Sequence, residues 1–171
     1  RGTALHRLIE RWPTLLIILS TITLLIGGAL EIIPNLIQGA LSPRIASVQP
    51  YTPLELAGRD IYIREGCIGC HTQMIRTLRA ETERYGEYTR AGEGIYDRPF
   101  LWGSKRTGPD LAREGVIRPM AAWHYQHMAD PRAVAPGSVM PAYPWLLKDE
   151  TDVASLPARM RALAGMPIYT P

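Results

Sequence analysis

Apolar and polar positions along this chain change character near residue 31. From Trp12 to Leu30 the run WPTLLIILSTITLLIGGAL carries no charge. As a helix its nineteen residues reach about 28 Å, close to the roughly 30 Å hydrocarbon thickness of a bilayer. Pro13 falls in the first turn, where its missing N–H costs little, and Trp12 stands where interfacial aromatics occur. Gly27 and Gly28 would let another helix approach closely. The run exceeds the roughly 7–15-residue core of a secretory signal and no small-x-small cleavage site comes after it, so an anchor is expected. Arg1, Arg7 and Arg11 precede it, whereas Arg44 is the only basic residue between Glu31 and Pro50. That asymmetry predicts a cytoplasmic N-terminus and an outer location for the rest of the chain. The first residue is Arg, so a short N-terminal piece is expected before it.

Beyond the anchor the pattern becomes helical and broken. Residues 1–33 are expected to hold the N-terminal end and the span, 34–51 a tether, and 52–171 a single domain. Pro34, Gly39, Pro43 and Pro50 supply the breakers of the tether. Thr52-Pro53-Leu54-Glu55 reads as a capping box with proline at the first helical position. The helix it opens is expected to bury Leu54, Ala57 and Ile61 on one face and to end at Gly66. Residues 120–129 predict a second helix, with Met120, Trp123, His127 and Met128 near one face. A third is expected from about Asp149 to Ala164, opened by Asp149, Glu150 and Asp152, broken or restarted at Pro157, and ended by Gly165 and Pro167. No alternating strand pattern or internal repeat appears, so the fold class is all-α. The stretch 76–102 mixes Tyr85, Tyr88 and Tyr96 with Glu81, Glu83, Arg84, Glu87, Arg90, Glu93 and Arg98. It reads as a solvated excursion, with partner docking as a second use of its tyrosines.

Composition narrows the class only slightly. The 171 residues carry a net charge of +3, with 46% hydrophobic and 20% charged residues, and no basic run points to nucleic acid. Phe100 is the single phenylalanine, so the core must draw on Leu, Ile, Tyr and Trp and on any cofactor.

The cofactor is indicated by Cys67-Ile68-Gly69-Cys70-His71, the spacing of c-type haem attachment. Each thiol can add across one porphyrin vinyl group, and the short loop then presents His71 to the iron. A thioredoxin-like pair would sit on a βαβ pattern, which is missing here. A structural zinc site needs four ligands, and the chain has no third cysteine. A disulfide would leave His71 unexplained. For the second axial position the candidates are Met74, Met120, Met128, Met140, Met160, Met166, His124 and His127. Met140 is favoured because Pro136-Gly137-Ser138-Val139-Met140-Pro141 is a loop stiffened by prolines on both sides. His127 is its main rival. Met120, Met128 and Met160 fit helix faces, where packing is the usual role; Met74 lies too near His71 to reach the opposite side. Thr107-Gly108-Pro109-Asp110-Leu111 reads as a turn against the proximal side, with Pro109 a partner for His71. Trp102, Lys105, Arg106 and Arg132 are candidates for the haem propionates.

These runs give the chain its resemblance. Cys67 to Met74, Leu101 to Leu111, Trp123 to Arg132 and Pro136 to Tyr143 together resemble the membrane-anchored mono-haem cytochrome c subunit of cbb-type (C-family) haem–copper oxidases. The resemblance implies a class I-like cytochrome c domain after a single transmembrane helix. It implies a covalent haem c on Cys67 and Cys70, ligated by His71 and Met140. Electrons would arrive from a multi-haem cytochrome c subunit or a soluble donor. They would leave to a polytopic haem b/copper subunit where oxygen is reduced, so this chain itself would not be catalytic. It also implies a bacterial inner membrane with the haem domain in the periplasm, and Gly103-Ser104 near a calcium ion at the subunit interface. The cytochrome c subunit of a nitric oxide reductase and a stand-alone membrane-tethered carrier are the alternatives that the same motifs allow.

Overall fold

A computed structural model describes residues 3–97 and 99–165 of the chain. Arg1, Arg98, Met166 and Pro167, each part of an expectation from the sequence, lie outside the described residues. No strand occurs among the described residues, and the fold is all-helical. The chain divides into two compact units, Arg1–Ser42 and Pro43–Pro171, with the boundary inside the stretch expected to be a tether.

The first unit contains α1 (Ala4–Arg11) and α2 (Pro13–Leu41). Residues Pro13–Pro34 have a mean hydropathy of 2.3, and none of that window is buried. A helix this long and apolar, with its side chains facing outward, suits a lipid surrounding. It passes through Pro34 and ends only at Leu41, so 34–41 is helical where breakers predicted irregular chain. Pro34 removes one backbone bond, but Ile32, Ile33, Leu36 and Ile37 continue the apolar helical pattern around it.

In the second unit, α3 (Pro53–Arg64) starts with the expected reciprocal cap. The Thr52 hydroxyl accepts from the Glu55 N–H at 3.4 Å, and the Glu55 carboxylate accepts from the Thr52 N–H at 2.8 Å. Its buried face is Leu56 and Ala57, while Leu54 is 78% exposed. The stripe centres between Leu56 and Ala57, and at 100° per residue Leu54 falls roughly 110° from its middle. The chain leaves the helix through Gly66 at φ 71°, a left-handed conformation natural to glycine.

The helix that packs on α3 is the last described one, which we number α8 (Leu156–Ala164). Arg159 Nη1 donates to Asp60 across the pair at 2.6 Å. This helix begins later than the acidic cluster suggested: residues 149–155 are not helical and Pro157 occupies the first turn. Proline costs a backbone hydrogen bond inside a helix but none at its start, and Pro157 sits in the first turn of α8. Asp152 instead accepts the Ser155 N–H at 3.1 Å.

The largest departure is the stretch 76–102. It forms α4 (Arg79–Tyr85) and a 3-10 turn at Ala91–Gly94, and it buries Glu81, Ile95, Asp97 and Leu101. Its charge pattern suggested a solvated path, and Glu83, Arg84, Glu87 and Arg90 are exposed, but Glu81, Glu93 and Asp97 are drawn inward and paired. Arg59 Nε donates to Asp97 at 2.5 Å and Arg113 Nη1 to Glu93 at 2.6 Å. The remaining helices are α5 (Glu114–Ile117), α6 (Ala121–Ala129) and α7 (Pro131–Val134), followed by a 3-10 turn at Pro144–Leu147. On α6, Trp123, His127 and Met128 are half-buried. Met120, expected on the same face, precedes the helix and is 69% exposed.

Candidate functional site

The Cys67–His71 segment is a tight turn built by its own backbone. Cys67 C=O accepts from the N–H of both Cys70 (3.1 Å) and His71 (2.9 Å), and Gly66 C=O accepts from Gly69 N–H at 2.9 Å. Cys67 and Cys70 are both free thiols, on one turn with the imidazole. Burial, its largest influence, holds the Cys67 thiol above its usual range.

A second turn, 107–111, is laced to the first. Gly108 N–H donates to Cys70 C=O at 3.0 Å and Leu111 N–H to Thr72 C=O at 2.8 Å. The Pro109 carbonyl lies 2.8 Å from His71 Nδ1, the partner expected from the sequence. A proton on Nδ1 leaves Nε2 as the nitrogen able to bind a metal. Gly108 is pressed against the ring: a Cβ there would stand 2.3 Å from His71 Cε1. Only glycine fits, for steric reasons. Behind the ring, the Tyr62 phenol donates to His71 C=O at 2.9 Å; burial first, then nearby negative charge, pushes its pKa up to about 12, so it remains a donor.

Under both turns runs a buried polar network that sequence reasoning missed. Asp110 is 1% and Thr72 0% exposed. Asp110 accepts from the Thr72 hydroxyl, from Met74 N–H at 2.9 Å and from Ala112 N–H at 2.9 Å. Arg106 reaches Asp110 at 3.1 Å, Thr72 Oγ1 at 2.6 Å and Met74 C=O at 2.5 Å, and it pairs with Glu81. Arg106 is therefore spent internally and is not placed for a propionate. The available signal was the position of Thr72 and Asp110, each directly beside a turn that must not move.

The other propionate candidates separate clearly. Trp102 stacks flat on Phe100 (4.2 Å, 2°) and its buried Nε1 has no partner. It lines a pocket of about 120 Å³ together with Glu93, Asp97 and Arg113, in which Arg113 is already paired with Glu93. Lys105 and Arg132 are exposed.

Of the distal candidates, Met140 is half-buried while its neighbour Val139 is 74% exposed. Its loop is held from within, by Met140 N–H to Ser138 Oγ at 3.2 Å, and from α6, by Tyr143 N–H to Met128 C=O at 2.7 Å. Just beyond, Trp145 Nε1 donates to Glu65 at 3.2 Å, which ties the exit of the loop to the residue before Gly66. His124 is engaged, its Nε2 lying 2.8 Å from Arg118 C=O, as expected of a structural histidine. His127 is not: its buried Nδ1 has no partner.

The residues present suit a haem. Two thiols share a turn with an imidazole oriented by a carbonyl, and a glycine cradles that imidazole. No curated protein matches the chain significantly. Over residues 6–170 it matches the family described as Cytochrome C oxidase, mono-heme subunit/FixO. With haem the implied cofactor and nearly the whole length matched, the chain belongs to the FixO family of mono-haem cytochrome c oxidase subunits.

Proposed function

We propose that this subunit relays single electrons to the haem b/copper catalytic subunit of a cbb-type oxidase, which reduces oxygen to water. Cys67 and Cys70 carry one haem c by thioether bonds, and His71 and Met140 are its axial ligands. The observation that carries the reading is the clamp on His71. A ring fixed through Nδ1 to Pro109 and backed by Gly108 can offer Nε2 in one orientation only. The bound haem supplies a one-electron iron couple, and Met/His ligation places it at a higher potential than two histidines would. The chain's own work is to hold these groups still, to keep water from them and to present the site to its partners.

The anchor is α2, with Arg1, Arg7 and Arg11 on the cytoplasmic side and the haem unit in the bacterial periplasm. Residues 1–33 serve as membrane segment, 34–51 as link and 52–171 as haem domain. The donor is a multi-haem cytochrome c subunit or a soluble cytochrome c. Among the described residues no group of three or more His, Cys, Asp or Glu could hold a metal ion. A calcium ion beside Gly103-Ser104 would be held at the interface with the partner subunit.

A reduced-minus-oxidised spectrum with metal analysis of the intact detergent-solubilised complex tests the assignment. We expect one haem c in addition to the haem b and copper of the catalytic subunit. Met140→Ala should abolish the weak far-red band of sulfur-to-iron ligation and slow oxygen consumption while the haem stays attached. Survival of that band assigns the ligand elsewhere, and a fully matured chain without colour refutes the whole reading.

A further inference from the structure

The stretch expected to be a tether is taken up from both ends. On one side α2 continues to Leu41; on the other, the second unit already begins at Pro43. Residues 43–51 therefore belong to the haem unit, and Ser42 alone connects them to the helix.

What holds them is specific. Gly92 is buried, and a Cβ there would stand 2.3 Å from the Pro43 carbonyl oxygen and 2.8 Å from Ile45 Cγ1. So close an approach to backbone is open only to a residue without a side chain. Farther along, Val48 N–H donates to Ile45 C=O at 2.9 Å and Gln49 Nε2 to Ala46 C=O at 3.0 Å, so the segment folds on itself as a turn. Ile45 and Val48 are half-buried. At the far end the Tyr51 phenol donates to the Asp97 carboxylate at 2.9 Å. Arg59 Nε donates to the same carboxylate at 2.5 Å, and its guanidinium covers the Tyr51 ring at 5.9 Å. Asp97 is 5% exposed, so this end is fastened in the interior. The next residue, Thr52, already caps α3.

We propose that residues 43–51 are a strap, clamped at Gly92 and at Asp97, that leaves the haem unit a one-residue link to its anchor. The proposal rests on the electron-relay reading above, for which Tyr51, Gly92 and Asp97 are positioning residues. A free chain as long as 34–51 would let its ends wander by roughly 20–25 Å, whereas one extended residue spans at most about 3.6 Å. Tunnelling rates fall steeply with distance, so a haem on a long leash transfers only in the moments when it lies close. The strap removes that search.

Trypsin reads the strap directly, since Arg44 is the only basic residue between Glu31 and Pro50. On the full-length, haem-loaded chain in detergent, cleavage after Arg44 should be slow. Gly92→Val drives a side chain into the Pro43 carbonyl and should speed it about five- to 150-fold, the opening expected from overpacking. Tyr51→Phe keeps the ring, loses the O–H donor and should speed it about two- to tenfold. Cleavage as fast in the parent as in Gly92→Val overturns the strap; where Gly92→Val does not accumulate, Tyr51→Phe takes its place in that comparison. In the intact oxidase, an insert of about eight Gly and Ser residues between Ser42 and Pro43 adds slack while leaving the clamp alone. It should keep the trypsin resistance and the visible spectrum, yet slow transfer from haem c to haem b on the order of tenfold, as proximity falls with the length of a flexible link. An unchanged rate overturns the proposal, because something other than the link then positions the unit. If the parent complex, with its strap intact, passes no electron from haem c to haem b, it is the relay beneath the proposal that fails.

Discussion

At the scale of single residues the site depends on atoms that cannot be enlarged or removed. Gly108→Ala places a methyl 2.3 Å from His71 Cε1, so either the ring or the turn must shift. Overpacking of this kind costs about 1–3 kcal/mol. The variant should melt earlier than the parent and show an altered visible spectrum; an unchanged spectrum would mean the turn yields instead of the imidazole. Asp110→Ala is expected to be worse. It strands Arg106 together with the Thr72 hydroxyl and two backbone N–H groups, all beneath the haem motif. Breaking a buried charged network by removing one partner typically costs about 3–5 kcal/mol, readable as a drop in denaturation midpoint with an unchanged slope. The turn that joins Cys67, Cys70 and His71 was legible from the spacing of the motif, and the contact of Pro109 with His71 from the Thr107–Leu111 turn. Asp110 and Arg106 were not, because nothing local says that a carboxylate in a turn will pair with a guanidinium and a hydroxyl 38 residues upstream.

At the scale of elements, caps proved readable, breakers only in part, since α2 passes through Pro34, and faces less so. The Thr52 cap and the start of α3 follow from four residues of sequence, whereas the exposure of Leu54 depends on where α8 comes to rest. In the same way Pro157 fixed where α8 starts, against the pull of the acidic residues before it. The stretch 76–102 is solvated over most of 77–90, as its charge suggests, but turns inward at Glu93 and Asp97, for which only the fold supplies Arg113 and Arg59 as partners. Thr52→Ala tests the first of these elements. It should lower stability by about 1 kcal/mol, the usual value of an N-cap, while leaving the haem spectrum as it was. A spectral change would mean that the far end of α3 is sensed at Cys67.

For the molecule as a whole, the paired carboxylates set an acid limit. Burial alone would raise Glu81 and Glu93. The contacts of Arg106 and Arg76 with Glu81, and of Arg113 and the Arg90 N–H with Glu93, outweigh it and hold both below the usual range. In the unfolded chain both titrate near the ordinary value of about 4.3. The folded form therefore binds fewer protons, and the stabilisation is complete above that value and lost as pH falls through the depressed folded values. Thermal midpoints measured from pH 7 to pH 3 should fall along this limb. Glu93→Gln should be less stable at neutral pH and flatten the limb; a parallel curve would remove Glu93 from the account.

His71 is held by Pro109 at Nδ1, by Gly108 against its face, and by Cys67 and Tyr62 at its own backbone. An electron jumps much faster than nuclei rearrange, so its passage is quickest where reactant and product geometries nearly coincide. In the proposed relay, a histidine anchored at two points on its ring and two on its backbone contributes little reorganisation energy of its own. Loosening any one anchor should slow transfer even where affinity for the haem is unchanged.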